Sequence, residues 1–276
     1  MKQTQWTALR LLPFFAIPLL SGCFKSNSTD ALCNETPALR CELLNIDDGQ
    51  CRKPRTDLIW HRYDVLNNPS DQNKIEEYRL VSEYRKCLEL ASQIAPIDQT
   101  ELKQKRFAAL MHSIEELDRI QSDLTQYKTP QALYFLWSQL GDRDAQRQFL
   151  QLEGKPELET AELQYALATF YTSRDHIKTL TLLNRALELS PKEQINTEIL
   201  QTLSSTNQLL RNKERAYIWA MVAKSFNVPL ADKQELHLLY GFESAKYDEL
   251  DNIAKRVVKA LNQGNFNAAL VPEQFD

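Results

Sequence analysis

The chain has 276 residues, with 37 acidic and 33 basic side chains and a formal net charge of −4. That balance argues against a nucleic-acid partner, whose phosphates call for a basic surface. Six glycines are few, and the eleven prolines fall chiefly between apolar-periodic stretches, which is the punctuation of an all-helical chain.

The chain opens with a cationic stretch holding Lys2 and Arg10. An uncharged apolar run from Leu11 to Leu20 follows, and then Leu20-Ser21-Gly22-Cys23. At about ten residues the run is half the roughly 20 that a helix needs to span a bilayer. The tetrad resembles the lipobox of bacterial lipoproteins, in which the cysteine thiol takes a diacylglycerol before the leader is cleaved. That resemblance implies residues 1–22 as leader, Cys23 as the lipidated residue and residues 23–32 as a polar tether. Three acyl chains on Cys23 would hold the chain on a membrane surface. In such lipoproteins an aspartate straight after the cysteine retains the protein in the inner membrane. Here Phe24 and Lys25 follow, so the resemblance implies the periplasmic face of the outer membrane.

Four cysteines remain, Cys33, Cys41, Cys51 and Cys87, and an even number in an oxidising compartment predicts two disulfides. The spacing contains no C-x-x-C pair, so no zinc site and no other metal site is expected. If Asn34 caps a helix running through Pro37 to Leu44, Cys33 and Cys41 lie about two turns apart, beyond the ~7 Å that a disulfide tolerates between α-carbons. The expected pairs are then 33–51 with 41–87, or 33–87 with 41–51.

Beyond Cys51, Thr56 or Asp57 can start a helix carrying Leu58, Ile59, Trp60 and Tyr63. Basic groups cluster around it, and Arg52, Lys53, Arg55 and Arg62, with His61 beside them, form a candidate patch for an anionic lipid or glycan. The plainer reading is a solvated basic face beside a packed tryptophan. The stretch CNETPALRCELLNIDDGQCRKPRTDLIWHRYDVL resembles the opening of a family of Gram-negative lipoproteins known only as a domain of unknown function, and the likeness implies no activity.

Two long helices are predicted next. Ser70 or Asp71 begins one with Leu80, Tyr84, Cys87, Ala91 and Ile94 on a stripe, so that the Cys87 disulfide ties it to the amino-terminal segment. After Pro96 a second stripe runs Phe107, Leu110, Ile114, Leu117 and Leu124, with His112 off it and exposed. Residues 33–128 thus form a cysteine-containing helical region.

Residues 129–276 read as helix pairs. In TAELQYALATFYTSRDHIKTLTLLNRALELSP, Leu163, Ala166, Leu167 and Phe170 share a face of one helix. Thr179, Leu183 and Ala186 line the next, and Pro191 ends it. This resembles a tetratricopeptide repeat, in which bulky residues of a first helix pack over small ones of a second. An earlier, degenerate copy spans Pro130 to Gly154, with Trp137 preceding Phe170 by 33 residues. A third follows a longer first helix from Gln194 to Arg211, with Ala216, Trp219, Ala223 and Pro229, and its AYIWAMVAKSFNVP resembles the second helix of Sel1-type repeats. Leu236 to Ala245 and Leu250 to Leu261 read as a carboxy-terminal cap. The expected fold is all-α, with antiparallel pairs stacked as a tetratricopeptide-like superhelix behind a disulfide-linked helical amino-terminal segment.

In that repeat family the first helices line a groove. The corresponding positions here are Gln131, Phe135, Ser138 and Gln139, then Gln164, Tyr171 and Thr172, then Gln201, Ser205 and Gln208. Amides, hydroxyls and aromatics suit a neutral extended segment of another envelope protein. The alternative is that the chain's own helices from residues 71–126 fill the groove. No nucleophile elbow, His-Glu-x-x-His or phosphate loop occurs, so no catalytic residue and no cofactor is assigned, and no enzyme activity is expected. The function expected is that of a membrane-anchored periplasmic scaffold for a protein partner, with the basic patch as the alternative site.

Overall fold

The computed structural model of the protein describes residues 28–94, 100–192 and 194–275. The leader and Cys23 lie outside the described residues, among which every regular element is helical. The expected all-α fold of stacked helix pairs behind a disulfide-linked amino-terminal segment is what forms.

Helix α1 (Thr29–Glu35) is capped by Ser28, whose hydroxyl oxygen accepts the Ala31 amide at 3.1 Å. The helix expected from Asn34 through Leu44 does not form. Two 3₁₀ turns, Pro37–Leu39 and Cys41–Leu44, take its place, separated by Arg40 at φ 51°. Pro37 has no amide hydrogen with which to extend α1, and the left-handed Arg40 reverses the chain. That reversal returns Cys41 to Cys33, and the two are bonded with Cα atoms 5.9 Å apart. Cys51 pairs with Cys87, Cα to Cα 5.7 Å. Both expected connectivities are therefore wrong, although all four cysteines are used and Cys87 does tie its helix to the amino-terminal segment.

Helix α2 (Arg52–Asn67) begins ahead of the expected Thr56 or Asp57, because Cys51, held by its disulfide at φ 56°, turns the chain directly into it. Helix α3 (Asp71–Ala91) is capped by Ser70 and packs between α2 and α4 (Thr100–Leu124). Leu80, Tyr84 and Ala91 are buried as expected, while Ile94 is exposed. On α4 the stripe is rotated from the expected one. Arg106, Ala109, Ser113, Glu116, Leu117, Ile120 and Leu124 face inward and Phe107 faces solvent. The burial of Arg106 and Glu116 is what turned it, since each has a buried ionic partner across the interface.

The helix pairs follow. Helix α5 (Pro130–Leu140) turns through left-handed Gly141 into α6 (Arg143–Leu150). Next come α7 (Ala161–Tyr171) with α8 (His176–Leu189), and α9 (Thr197–Leu209) with α10 (Lys213–Ser225). All but α10 open on a capping side chain. Thr160 accepts the Leu163 amide at 3.3 Å, and Asp175 accepts that of Lys178 at 2.9 Å. Thr179, Leu183, Ala186, Ala216 and Ala223 have no accessible surface, so small groups on the second helices admit the bulky ones of the first. Helices α11 (Lys233–Tyr240) and α12 (Ser244–Gln263) close the array against α10. There the Tyr217 hydroxyl donates to Asp251 at 2.9 Å, and the His237 ring stacks on Tyr247 at 3.7 Å.

Two apolar cores run through the described residues. One extends from Leu39 to Leu167 and the other from Ala168 to Val271, and they meet on α7, with Leu182 packed against both. The first spans residue 128 without interruption, because Leu133 and Leu136 of α5 join Tyr84 and Ile120 of the amino-terminal helices in it.

Candidate functional site

The basic segment is dispersed by the fold. Arg55 is 4% exposed, and its guanidinium donates to the carbonyls of Asn45 (2.8 Å), Asp48 (2.7 Å) and Gln50 (3.2 Å). It satisfies backbone acceptors that the 45–51 turn points inward. Arg62 is buried between Glu77 (3.3 Å) and Glu116 (2.7 Å). Arg52 and Lys53 remain exposed, and Lys53 pairs with Asp57 at 2.6 Å. The structure therefore does not gather Arg52, Lys53, Arg55 and Arg62 into one patch. His61 bonds the Asn73 carbonyl at 2.8 Å, and Trp60 stands partly in solvent with its indole N–H donated to Thr29 at 3.3 Å.

The first helices of the pairs, α5, α7 and α9, share one face. On it the Tyr134 phenol interacts with the side chains of Thr169 and Ser138. The Tyr165 hydroxyl donates to Glu198 Oε2 at 2.5 Å, joining α7 to α9. Burial first, and then the Glu198 carboxylate, push the Tyr165 phenol well above the ordinary tyrosine range, so it stays a donor at any physiological pH. Ser138, Gln139, Glu162, Thr169, Gln201, Ser205 and Gln208 are exposed. The amino-terminal helices do not cover this face. Their principal contacts with the array run to α5, where Tyr78 meets Phe135 edge-on at 5.2 Å between ring centroids.

Several expected groove residues sit elsewhere. Gln164 is 6% exposed and donates to the Leu158 carbonyl at 3.0 Å, so it braces the α6–α7 connection. Phe135 packs on Tyr78, and Gln131 is half-buried. Tyr171 donates to Glu153 at 2.6 Å and lies 4.0 Å beneath the Lys178 ammonium, at the edge where α7 turns into α8. Gln139, Gln201 and Gln208 are exposed as expected. The expected register on α7 is turned by one residue, which passes over Tyr165, and Tyr134 on α5 and Glu198 on α9 are not among the expected positions. A signal for the true register exists. Ala161, Gln164 and Ala168 fall at helical spacing, and small residues at i and i+7 mark a close packing line that includes the glutamine between them.

Two concavities lie elsewhere on the described surface. A cleft of about 920 Å³ lies between α8, the α9–α10 turn and the carboxy-terminal segment. Arg215 holds that segment through the Pro272 carbonyl at 2.8 Å, and Glu188 holds it by accepting the Ala268 amide at 3.1 Å. A smaller cavity of about 230 Å³ sits between α2, α3, α4 and the 37–40 turn. His112, expected in solvent, is half-buried in its wall, and burial lowers its imidazole below the ordinary value. No group of three metal-binding side chains occurs among the described residues, and none of the described helices is long and apolar enough to cross a membrane.

A model of the family described as a protein of unknown function, DUF2989, matches residues 20–221. No curated protein and no solved structure matches the chain.

Proposed function

We propose that this chain, which belongs to the DUF2989 family of proteins of unknown function, is an envelope lipoprotein whose tetratricopeptide-like helix pairs hold an extended segment of another envelope protein. The observation that carries the reading is the open first-helix face. Its phenols, hydroxyls, amides and carboxylates are aligned across α5, α7 and α9, and the Tyr165–Glu198 bond fixes two of those helices in register. Acceptors such as Glu162 and Gln201 suit a segment that brings backbone amides and a lysine or arginine. The stacked pairs supply a rigid platform on which such contacts are pre-organised.

The test is photo-cross-linking in cells from positions 169 and 201 on this face, with position 255 on the exposed side of α12 as control. One envelope protein should be captured from 169 and 201 and not from 255, and Tyr165→Ala should abolish its capture while the chain stays folded. Equal capture from position 255 overturns the reading.

Anchoring rests on the Leu20-Ser21-Gly22-Cys23 tetrad. Labelled palmitate should enter the wild-type chain and not Cys23→Ala, with the wild type recovered from the outer membrane. Absence of label from the wild type overturns that part.

A further inference from the structure

The small cavity between α2, α3, α4 and the 37–40 turn holds an unusual concentration of buried charge. Arg62 and Glu77 are less than a tenth exposed. Glu116 is bonded by Arg62 at 2.7 Å and by Arg119 at 2.9 Å. Lys74 holds Glu77 at 3.2 Å, and Asp123, on α4 outside the lining, closes the network through Arg119 at 2.9 Å. Arg62, Lys74 and Arg119 are thus matched by Glu77, Glu116 and Asp123. Arg40 is then left over as an unmatched cation in the wall, exposed and without an ion pair among the described residues.

Three features point this space at a ligand. The Arg62 Nε is buried without a hydrogen-bonded acceptor, although Glu77 Oε1 lies 3.3 Å away. Leaving such a donor unbonded is costly, and since that nitrogen is itself closed off, what Arg62 offers an incoming oxygen is the rest of its guanidinium, which lines the space. Arg40 adopts the left-handed conformation at φ 51°, which is costly for a side chain of its kind, and the Cys33–Cys41 disulfide pins the turn that carries it. His112 offers a further N–H from α4. The donors therefore converge from different sides, which suits a tetrahedral anion better than a planar carboxylate. A volume of about 230 Å³ holds such an ion with some of its water and falls below the ~300–1,000 Å³ of drug-sized pockets.

We propose that this cavity is a binding site for a phosphate-type oxyanion, gripped by Arg40 and His112 at the mouth and Arg62 at the floor. Binding is linked to protonation of His112. The imidazole is faced by Glu115, Glu116 and Arg119 from its own helix, by Arg62 from α2, by Lys74 and Glu77 from α3 and by Arg40 from the turn. An added anion tips that balance toward the imidazolium, so affinity rises as pH falls.

The test is calorimetric titration of the purified full chain with inorganic phosphate at constant ionic strength. Sulfate, whose charge is constant over the range, is the probe for measurements at about pH 5.5 and about pH 7.5. One saturable site is expected, tighter at the lower pH, and Arg40→Gln and His112→Gln should each weaken it about tenfold or more, the loss of one charge-assisted bond. Arg52→Gln, an exposed cation outside the cavity, should bind as the wild type does. Vesicles of phosphatidylglycerol identify the source. Arg40-dependent vesicle binding displaced by free phosphate assigns a lipid headgroup, and phosphate binding without vesicle binding assigns a soluble anion. No saturable binding of any probe, or Arg40→Gln and Arg52→Gln binding alike, overturns the site.

Discussion

Asp48→Ala should destabilise the protein by about 3–5 kcal/mol, read as a drop in the midpoint of chemical denaturation. Asp48 and Arg106 are 5% and 4% exposed. They meet through Nε to Oδ2 at 2.5 Å and Nη2 to Oδ1 at 3.2 Å. The same carboxylate accepts the Gln50 amide at 2.9 Å and the Asn45 side chain at 3.0 Å, and Arg106 also donates to the Ala91 carbonyl at 3.2 Å. Removing Asp48 strands a buried guanidinium and loosens the 45–51 turn together. The double variant Asp48→Ala/Arg106→Met should recover much of the loss, since no charge then remains unpaired. If the double variant is as unstable as the single one, the ion pair is not the cause.

The pair also sets an acid limit. The Arg106 hydrogen bond, against the opposing effect of burial, holds the Asp48 carboxyl below its ordinary value of 3.8. Its stabilisation is therefore complete above that value and is lost as pH falls through the lower folded-state one.

Breaking the Cys51–Cys87 disulfide by Cys51→Ser/Cys87→Ser should cost about 4 kcal/mol, and breaking Cys33–Cys41 about 2.5, on the chain-entropy scale. The first closes 36 residues and the second only 8, so the larger loop confines the unfolded chain more. Thermal melting of the two double variants gives the order. Equal losses would show that local contacts around Cys51, rather than loop closure, set the cost.

The α7–α8 pair was legible in the sequence because its signals agree. Thr160 and Asp175 cap, Pro191 stops, and Thr179, Leu183 and Ala186 sit where close packing needs them. The amino-terminal segment was harder to read because the reversal at Arg40 uses a residue that rarely takes φ > 0, with no glycine or asparagine to announce it. The basic segment misleads for a different reason. Arg55, Leu58, Arg62 and Val65 follow helical spacing, so the two arginines lie on the same inward face as the aliphatic residues. Counting charges saw a surface where periodicity would have seen a polar core. Partners such as Asp48 with Arg106, 58 residues apart, leave no local trace in the sequence.

The bonded cysteines are neighbours in order along the chain, first with second and third with fourth. For a polypeptide that enters an oxidising space amino terminus first, the thiols then arrive already sorted. The first pair can close before Cys51 emerges, and the second pair forms with no competitor left free, provided that Cys23, which precedes them all, is occupied by lipid. Maturation would need an oxidant but no isomerase to undo wrong partners. Cells lacking isomerase activity should therefore accumulate the native protein at the normal level, while cells lacking the oxidant should not.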